Sequence, residues 1–553
     1  MRFPLDFVRQ LAREPSRAWK SVYIVAVLAV FGPAAVRRFA LPLIPILDID
    51  SANFLWPALL QLNGAGFVHN AGLNFIYPGF LLLLLRAFAD FRAIVVAQHL
   101  IGLAGGVFFL LGWNRLHDFE FASGLRRPVH QAIGLCGAGI YLLSPTPILF
   151  EQQIRSEALC PAAQLLSFWL FFQFLFYRRA RTGRRRLVLY GLGCIASALL
   201  LYSLKPSFTL TAFFTIALVL VLVVRIRESG KFRALFLAGA FSVALVFLLP
   251  EYWLSRNDRL SKMFLSETLF SVHANIIRDQ MSADLAQGVE APFPQPWLRA
   301  ARDDLGAEIE RLRIPEPRQF SLLGFDPDNL MNGGNAVVTR WLQQLGGDAE
   351  LKRFLDYYFW RAVQHQPLVF AAKIRRQLGV FYSSPCPAFT TYRRIALVGW
   401  HYEASLAVIR DPENWEQLGK LPAGQRLLLG TQEITAYETY FDSGKRLCFY
   451  HSILARSYLP LLIISTGLAL LAIAFQKLPA AEKWPPLLVI LLFLVNFGNV
   501  LAISVVHSME VQRYSTVQFA AALFAELWAI RYLLGFILCR SRAGRPMRHP
   551  RQA

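Results

Sequence analysis

The sequence predicts an all-α polytopic membrane protein with about ten transmembrane helices, further helices at the outer interface and a mainly helical extramembrane segment. Of its 553 residues, 55% are hydrophobic and 14% aromatic, and the mean hydropathy is +0.40. The apolar residues form long, nearly uncharged runs rather than a periodic stripe. Runs of about 18 or more apolar residues span a bilayer, and they do so as helices because lipid cannot hydrogen-bond an open backbone.

The apolar runs define the predicted spans. The first run follows a basic flank and lacks a small-residue cleavage signal, which favours a retained helix over a signal peptide. The shorter stretch 80–85, between Pro78 and Arg86, is predicted to lie at or dip into the outer interface, within a first outer loop of residues 37–91. The predicted spans are residues 21–36, 92–112, 131–149, 158–177, 187–204, 208–224, 234–250, 453–475, 485–506 and 515–538.

Basic residues set the predicted orientation. The net charge is +21, and arginines cluster in loops 113–130, 178–186 and 225–233 and in the tail from Arg540. With the spans above, these loops and both termini share one side, which the positive-inside rule makes cytoplasmic. Arginines placed between spans favour contact with anionic lipid headgroups, so we expect the bilayer and not nucleic acid as a partner. A bacterial inner membrane is the expected location, with an endoplasmic-reticulum membrane as the alternative.

The chain divides into three predicted regions. Residues 1–250 form a transmembrane module, 251–451 an outer segment, and 452–553 the C-terminal transmembrane helices with a basic cytoplasmic tail. In the outer segment, residues 367–382 are typical of a basic amphipathic helix at the interface. The six cysteines show no metal-binding spacing. Cys386 and Cys448 are both predicted on the outer side, where an oxidising environment would permit a disulfide between them.

Acidic residues of the first outer loop are candidates for chemistry. Asp48 and Asp50 stand two residues apart in PILDIDSANF, a spacing that points both carboxylates the same way in extended chain. The structural alternative is that Asp50 or Ser51 caps the helix that begins near Ala52.

Cations accompany acids in the later outer loops. Arg155 and Glu157 lie in EQQIRSEAL, and the alternative is a pair at a helix start. Lys205 lies in SLKPSF, and the alternative is a snorkelling lysine. Carboxylates deprotonate nucleophiles and cations stabilise a phosphate leaving group, so the loops together predict a reactive site.

The last outer loop, HSMEVQRYS, adds His507, Glu510, Arg513 and Tyr514. The structural alternative for this loop is a salt bridge between Glu510 and Arg513, which are three residues apart on a helix.

These motifs resemble those of the membrane-embedded glycosyltransferases of the GT-C superfamily, which use polyprenyl-phosphate-linked sugars. DSANF, QLNGAGF and NFIYPGFLLLLL resemble the family's Asp-containing loop and Tyr-Pro-containing interfacial helix. RSEAL resembles its acidic motif at a helix start, LKPSF its Arg/Lys-Pro motif and EVQRYS its late Arg-Tyr motif. The sequence departs from the family at Phe54, where many members have Tyr.

The resemblance implies a GT-C-like catalytic module that transfers a sugar with inversion, at the periplasmic face, from a polyprenyl-phosphate donor to an acceptor hydroxyl. It implies Asp50 as general base, with Asp48 as the other candidate. Some family members need a divalent cation, Mg or Mn, and others do not, so the resemblance does not decide whether this protein binds a metal. It also does not decide the sugar, or whether the acceptor is a lipid, a glycan or a protein. The implied donor-phosphate ligands are Lys205, Arg513 and Arg155, and the implied substrate-binding residues are Glu157, Glu510, His507 and Tyr514.

Two other functional classes stay open. A transporter or flippase of lipid-linked glycans would place charged groups near the bilayer midplane, and many transporters contain internal repeats, which this sequence does not show. A non-enzymatic cell-envelope assembly protein would use residues 251–451 to bind partners and would tolerate changes to the outer-loop acids.

Overall fold

The fold was obtained as a computed structural model that describes residues 17–47, 50–70, 72–119, 126–180, 183–225, 229–256, 258–315, 318–332, 336–396, 412–436, 440–475 and 483–543. Three single turns of 3₁₀-helix, His117–Phe119, Ser156–Ala158 and Pro206–Phe208, connect longer helices. The elements in chain order are α1 (Arg17–Phe39), α2 (Ser51–Leu62), α3 (Ile76–Phe88), α4 (Arg92–Leu116), α5 (Arg127–Leu143), α6 (Pro145–Glu151), α7 (Cys160–Ala180), α8 (Arg184–Leu204), α9 (Thr209–Val224), α10 (Gly230–Ser255), α11 (Arg259–Val272), α12 (Ala274–Gln287), α13 (Gln295–Arg311), α14 (Pro327–Asn332), α15 (Val337–Leu345), α16 (Asp348–His365), α17 (Pro367–Phe381), β1 (Arg394–Ala396), α18 (Pro412–Gly419), α19 (Pro422–Ala436), β2 (Tyr440–Asp442), α20 (Lys445–Phe475), α21 (Trp484–Val506), α22 (Gln512–Thr516) and α23 (Phe519–Ala543).

The membrane-spanning helices correspond to the predicted spans. Among the described residues, nine helices are long and apolar enough to cross a membrane, and α5 with α6 makes a tenth if the pair, bent by 45°, is one span. Each predicted span overlaps one of these ten, so the predicted all-α polytopic class is confirmed. The nine are α1, α4, α7, α8, α9 with the 3₁₀ turn before it, α10, α20, α21 and α23.

The break between α5 and α6 falls inside predicted span 131–149. Ser144 precedes Pro145 and adopts an extended conformation, with ψ at 141°. Proline disfavours a helical conformation in the residue before it, so α5 ends there. The Ser144 side chain accepts a hydrogen bond from Thr146 N and caps α6, which turns the chain toward the predicted outer face.

Helix α3 contains the short apolar stretch 80–85. Its 13 residues would extend about 20 Å, less than the roughly 30 Å of a bilayer core. Tyr77, Leu81 and Leu85 are buried, whereas Leu83 is 67% exposed. This length and this one-sided burial agree with the predicted interfacial helix.

The loop that follows α17 packs into the helix bundle. Phe389 is buried against α20 and α23. Pro460 lies inside α20 and has no N–H to donate to Arg456 O, four residues earlier. Ser384 Oγ donates to that carbonyl at 3.4 Å. Irregular backbone is tolerated at membrane depth where protein surrounds it.

The outer segment is mainly helical, as predicted. Helices α11 to α16 enclose a second hydrophobic core around Trp341 and Phe354. Strands β1 and β2 pair antiparallel, with Ile395 opposite Phe441. Cys386 and Cys448 are both free thiols, so the structure contains no disulfide between them.

Helix α17 lies against the end of α21. Its Lys373 is buried and donates to Ser504 O at 2.8 Å and to His507 O at 3.1 Å, whereas Arg375 and Arg376 are exposed. A cation at a helix C-terminus stabilises the unpaired carbonyls there. The amphipathic helix is therefore fastened to the turn that carries His507.

Candidate functional site

A short parallel bridge brings the first two outer loops together. Ile46 N donates to Gln152 O at 2.7 Å, and Ile154 N donates to Ile46 O at 3.3 Å. Ser51 Oγ donates to Ile154 O at 3.1 Å. Because these hydrogen bonds hold the two loop segments side by side, Asp50 and Arg155 meet just beyond the bridge.

A buried polar network supports this bridge from below. The Glu151 carboxylate accepts from Arg38 Nε at 2.7 Å and lies 2.8 Å from His99 Nδ1. Gln98 Nε2 donates to Glu151 O at 2.7 Å. A Cβ on Gly102 would come within 1.9 Å of Glu151 Oε1, so only glycine leaves room for this carboxylate. Charged groups at membrane depth need such partners.

Asp50 pairs with two arginines. Its Oδ2 accepts from Arg155 Nη2 at 2.5 Å and also from Arg513 Nη1. Asp50 precedes α2, but within the described chain its side chain makes no capping hydrogen bond to that helix, and Ser51 bonds to Ile154 instead. The capping interpretation of Asp50 is therefore wrong. Burial alone would raise the pKa of Asp50, but Arg513 and Arg155 outweigh it and hold that pKa below its usual value.

Glu157 and Lys205 form a second, more deeply buried pair. Lys205 Nζ donates to Glu157 Oε1 at 2.5 Å, and the two side chains are only 9% and 5% exposed. The snorkelling interpretation of Lys205 is wrong because its ammonium group is buried and paired. Burial would raise the pKa of Glu157, but Lys205, Arg155 and Arg513 hold it well below its usual range.

Tyr514 joins the two ion pairs into one cluster. Lys205 Nζ lies 4.6 Å and Arg513 Cζ 5.2 Å from the centre of its ring. The face of a tyrosine ring attracts cations. We call Asp50, Arg155, Glu157, Lys205 and Arg513 the charge cluster. Four loops predicted to share the outer face thus contribute to one cluster.

His507 lies beside this cluster, on the side of the outer segment. Its ring contacts Tyr514 edge to face, with ring centres 4.9 Å apart. Its Nε2 lies 3.3 Å from Asp328 Oδ1 of α14.

Glu510 does not pair with Arg513, so that interpretation is wrong. Its Oε1 accepts from Ser321 Oγ at 2.9 Å and from Leu322 N at 3.1 Å. Glu510 thereby ties the outer segment to the last outer loop. Sequence reasoning missed this contact because Ser321 is 189 residues away and lies in no motif.

The Arg38–Glu151–His99 network was also missed as a support of the site. The available signal was His99 inside an apolar run, because a polar group at that depth requires a buried partner. Asp48, the other predicted base, lies outside the described residues.

The described residues do not fit a divalent cation. They contain no group of three or more His, Cys, Asp or Glu side chains able to hold a metal. Hard cations require several oxygen ligands, but the carboxylates of Asp50 and Glu157 already accept from Arg155, Arg513 and Lys205.

An apolar cavity of about 320 Å³ lies between α7, α9, α21 and α23. Its lining begins at Phe208, close in sequence to Lys205, and continues along α9 to Val221, about 20 Å at the rise of a helix. Four amide side chains, those of Gln164, Asn496, Asn499 and Gln518, interrupt the apolar wall. In the described chain, Gln164 Oε1 and both amide atoms of Asn499 have no hydrogen-bond partner.

Comparison with known proteins adds one likeness. Neither a protein-family model nor a curated protein matches the sequence significantly. The structure is similar to the crystal structure of ArnT from Cupriavidus metallidurans bound to undecaprenyl phosphate, with 12% sequence identity and a TM-score of 0.31. The match covers 96% of this chain and 79% of that chain.

Proposed function

We propose that this protein is a membrane-embedded glycosyltransferase that moves a sugar from a polyprenyl-phosphate carrier to an acceptor hydroxyl at the periplasmic face of a bacterial inner membrane. The observation that carries the proposal is that the charge cluster includes Lys205, and the lining of an apolar cavity between the spanning helices begins three residues later, at Phe208. A ligand that fits both has an anionic head and a long apolar chain.

The groups present suit an inverting displacement. The acceptor oxygen forms a bond to the anomeric carbon from the side opposite the phosphate, while the bond from that carbon to the phosphate oxygen breaks. Asp50 takes the hydroxyl proton as general base. Arg155, Lys205 and Arg513 balance the charge that develops on the departing phosphate. Tyr514 and Glu157 hold Arg513 and Lys205 in place.

The cavity supports a lipid carrier rather than a water-soluble nucleotide sugar. Its wall is mainly apolar and lies between spanning helices, an environment that is favourable for an isoprenoid chain. With the chain below Phe208, the phosphate would reach the level of Lys205.

Substitution of Asp50 tests the chemistry. Asp50→Asn keeps the shape of the side chain but removes the base, so we expect transfer to fall by about 100-fold or more. Purified protein in nanodiscs would be assayed against a panel of polyprenyl-phosphate sugars and acceptors. Glu310→Gln is the matched control, because it removes one negative charge at an exposed site in α13, and it should keep full transfer. Full activity in Asp50→Asn would exclude Asp50 as the base.

Reconstitution of the purified protein in liposomes separates the enzyme from a flippase. Wild-type protein reconstituted in liposomes would be given labelled carrier with and without acceptor. We expect a glycosylated acceptor and free polyprenyl phosphate. Translocation of intact carrier without any transferred sugar would contradict the proposal.

A further inference from the structure

The cations of the charge cluster already have anionic partners from the protein itself. Asp50 bonds to both Arg155 and Arg513, and Glu157 bonds to Lys205. In the proposed function, these same cations bind the phosphate of the donor. A phosphate that enters the site must therefore compete with Asp50 for the two guanidinium groups.

Asp50 is a poor proton acceptor while both arginines hold it. A base works best when its pKa lies near the working pH, whereas two ion pairs keep the pKa of Asp50 below its usual value. The side chain is 33% exposed, so it has an open side toward which it can turn.

The charge of the cluster favours an exchange of partners. Three cations and two carboxylates leave one net positive charge, which matches the single negative charge of a sugar phosphodiester. Arginine N–H groups donate charge-assisted hydrogen bonds to phosphate oxygens as they do to carboxylate oxygens. The donor's phosphate can therefore take the place of Asp50 Oδ2, which accepts one such bond from each arginine.

We propose that Asp50 blocks the phosphate site of the unliganded protein, and that the donor's phosphate displaces it from Arg155 and Arg513 and so frees the carboxylate to act as the base. The inference rests on the proposed function and adds an order to it, because the acceptor cannot be deprotonated until the donor has bound.

Release from the arginines changes the proton affinity of Asp50. Within the described residues, the titratable groups that face it are Arg155 and Arg513, with Glu157, Lys205 and Tyr514 behind them. Once the phosphate holds the two arginines, their attraction for the Asp50 carboxylate weakens and the negative charge of the phosphate opposes it, so the pKa of Asp50 rises. Near pH 5 the Asp50 carboxylate of the unliganded protein is ionised. Phosphate binding should therefore be accompanied by uptake of a proton from solution by this carboxylate.

Calorimetry with undecaprenyl phosphate tests the exchange. Binding to wild-type protein and to Asp50→Asn in nanodiscs would be measured at pH 5 in two buffers of different ionisation enthalpy. We expect the wild type to take up more protons than Asp50→Asn, because only the wild type has the carboxylate whose pKa rises when the phosphate displaces it. Asp50→Asn removes the competitor, so it should bind about tenfold more tightly, equivalent to about 1.4 kcal/mol.

Two further variants secure the interpretation. Glu310→Gln makes the same change of net charge at an exposed site and should match the wild type in affinity and proton uptake. Asp50→Ser should show the same tighter binding and the same smaller proton uptake as Asp50→Asn. It replaces Asp50→Asn in the experiment if the asparagine variant does not fold. Equal affinity and equal proton uptake in wild type and Asp50 variants would overturn this inference and leave the proposed function standing. No binding of undecaprenyl phosphate to the wild type would overturn the proposed function instead.

Discussion

At the scale of single residues, the Glu157–Lys205 pair has the clearest energetic consequence. Both side chains are nearly buried and lie 2.5 Å apart. Two buried opposite charges contribute little net stability as a pair, because desolvation offsets their attraction. Removal of one partner leaves the other charge uncompensated, which costs far more.

Lys205→Met should lower the free energy of unfolding by about 3–5 kcal/mol, because it leaves Glu157 buried without its cation. Adding Glu157→Gln to that variant should recover much of the loss. Chemical unfolding of the detergent-solubilised protein, followed by tryptophan fluorescence, measures both. Lys420→Met is the matched control, because Lys420 forms an exposed pair with Glu416 and should change stability by less than about 1 kcal/mol. A double variant no more stable than Lys205→Met would contradict the buried-pair argument.

Short motifs identified the residues of the cluster better than they identified its supports. Asp50, Lys205 and Arg513 meet because each lies in a loop at the same end of the bundle, and loop charges are visible in sequence. Glu151 and Arg38 are 113 residues apart in two different predicted outer loops, and Glu510 bonds to a loop without a motif. Pairings of this kind depend on tertiary packing, so local spacing cannot predict them.

At the scale of elements, one histidine fastens the loop between α2 and α3 to the outer segment. His69 Nε2 lies 2.9 Å from Glu251 Oε1, and its Nδ1 lies 2.9 Å from Asp258 Oδ2. Ionised carboxylates only accept hydrogen bonds, so the ring donates to both partners when each of its nitrogens carries a proton, as in the imidazolium form. Burial lowers the pKa of His69, but its two carboxylate partners outweigh burial and raise that pKa.

The attachment of this loop should depend on pH. Because the folded-state pKa of His69 is raised, its contribution is complete below the ordinary value near 6.5 and is lost as pH rises through the raised value. Hydrogen exchange of residues 63–70, corrected for the intrinsic pH dependence, should show faster opening above that range. His69→Gln should open the loop at all pH values and abolish the dependence. A pH-dependent opening that persists in His69→Gln would exclude this histidine as the cause.

Helix boundaries show where sequence patterns reach their limit. Hydropathy located every spanning helix, but not the bend at Ser144, which depends on the conformation that Pro145 imposes on its neighbour. Nor did it indicate that residues after α17 enter the bundle. Those residues are held by hydrogen bonds to Ala455 O and Arg456 O, which only the packed helix presents.

At the scale of the whole molecule, the spanning helices and the loop charges together predict the orientation in the membrane. Loops that contain arginine clusters join one set of helix ends, and the charge cluster lies at the other. The positive-inside rule assigns the arginine-rich ends to the cytoplasm. The proposed donor would then meet the protein from the periplasmic leaflet.

Cysteine labelling tests this orientation. Glu310→Cys lies at an exposed position of α13, and Lys231→Cys lies at an exposed position at the start of α10. In intact spheroplasts, we expect a membrane-impermeant maleimide to label Glu310→Cys, and to label Lys231→Cys only after permeabilisation. The unsubstituted protein, with its exposed native Cys136, provides the background. Labelling in the reverse order would invert the topology and place the cluster in the cytoplasm.

The ion pair between Asp50 and Arg513 also has a consequence for biosynthesis. Its partners are 463 residues apart in the chain. At about 5–20 residues per second, the ribosome makes Asp50 roughly 20–90 s before Arg513. During that interval Asp50 lacks Arg513, and Arg155 is the arginine already made that bonds to it in the folded protein. The cluster is therefore complete only when the last pair of helices has been inserted, so a truncated chain that lacks them would lie in the membrane without the site proposed to bind the carrier.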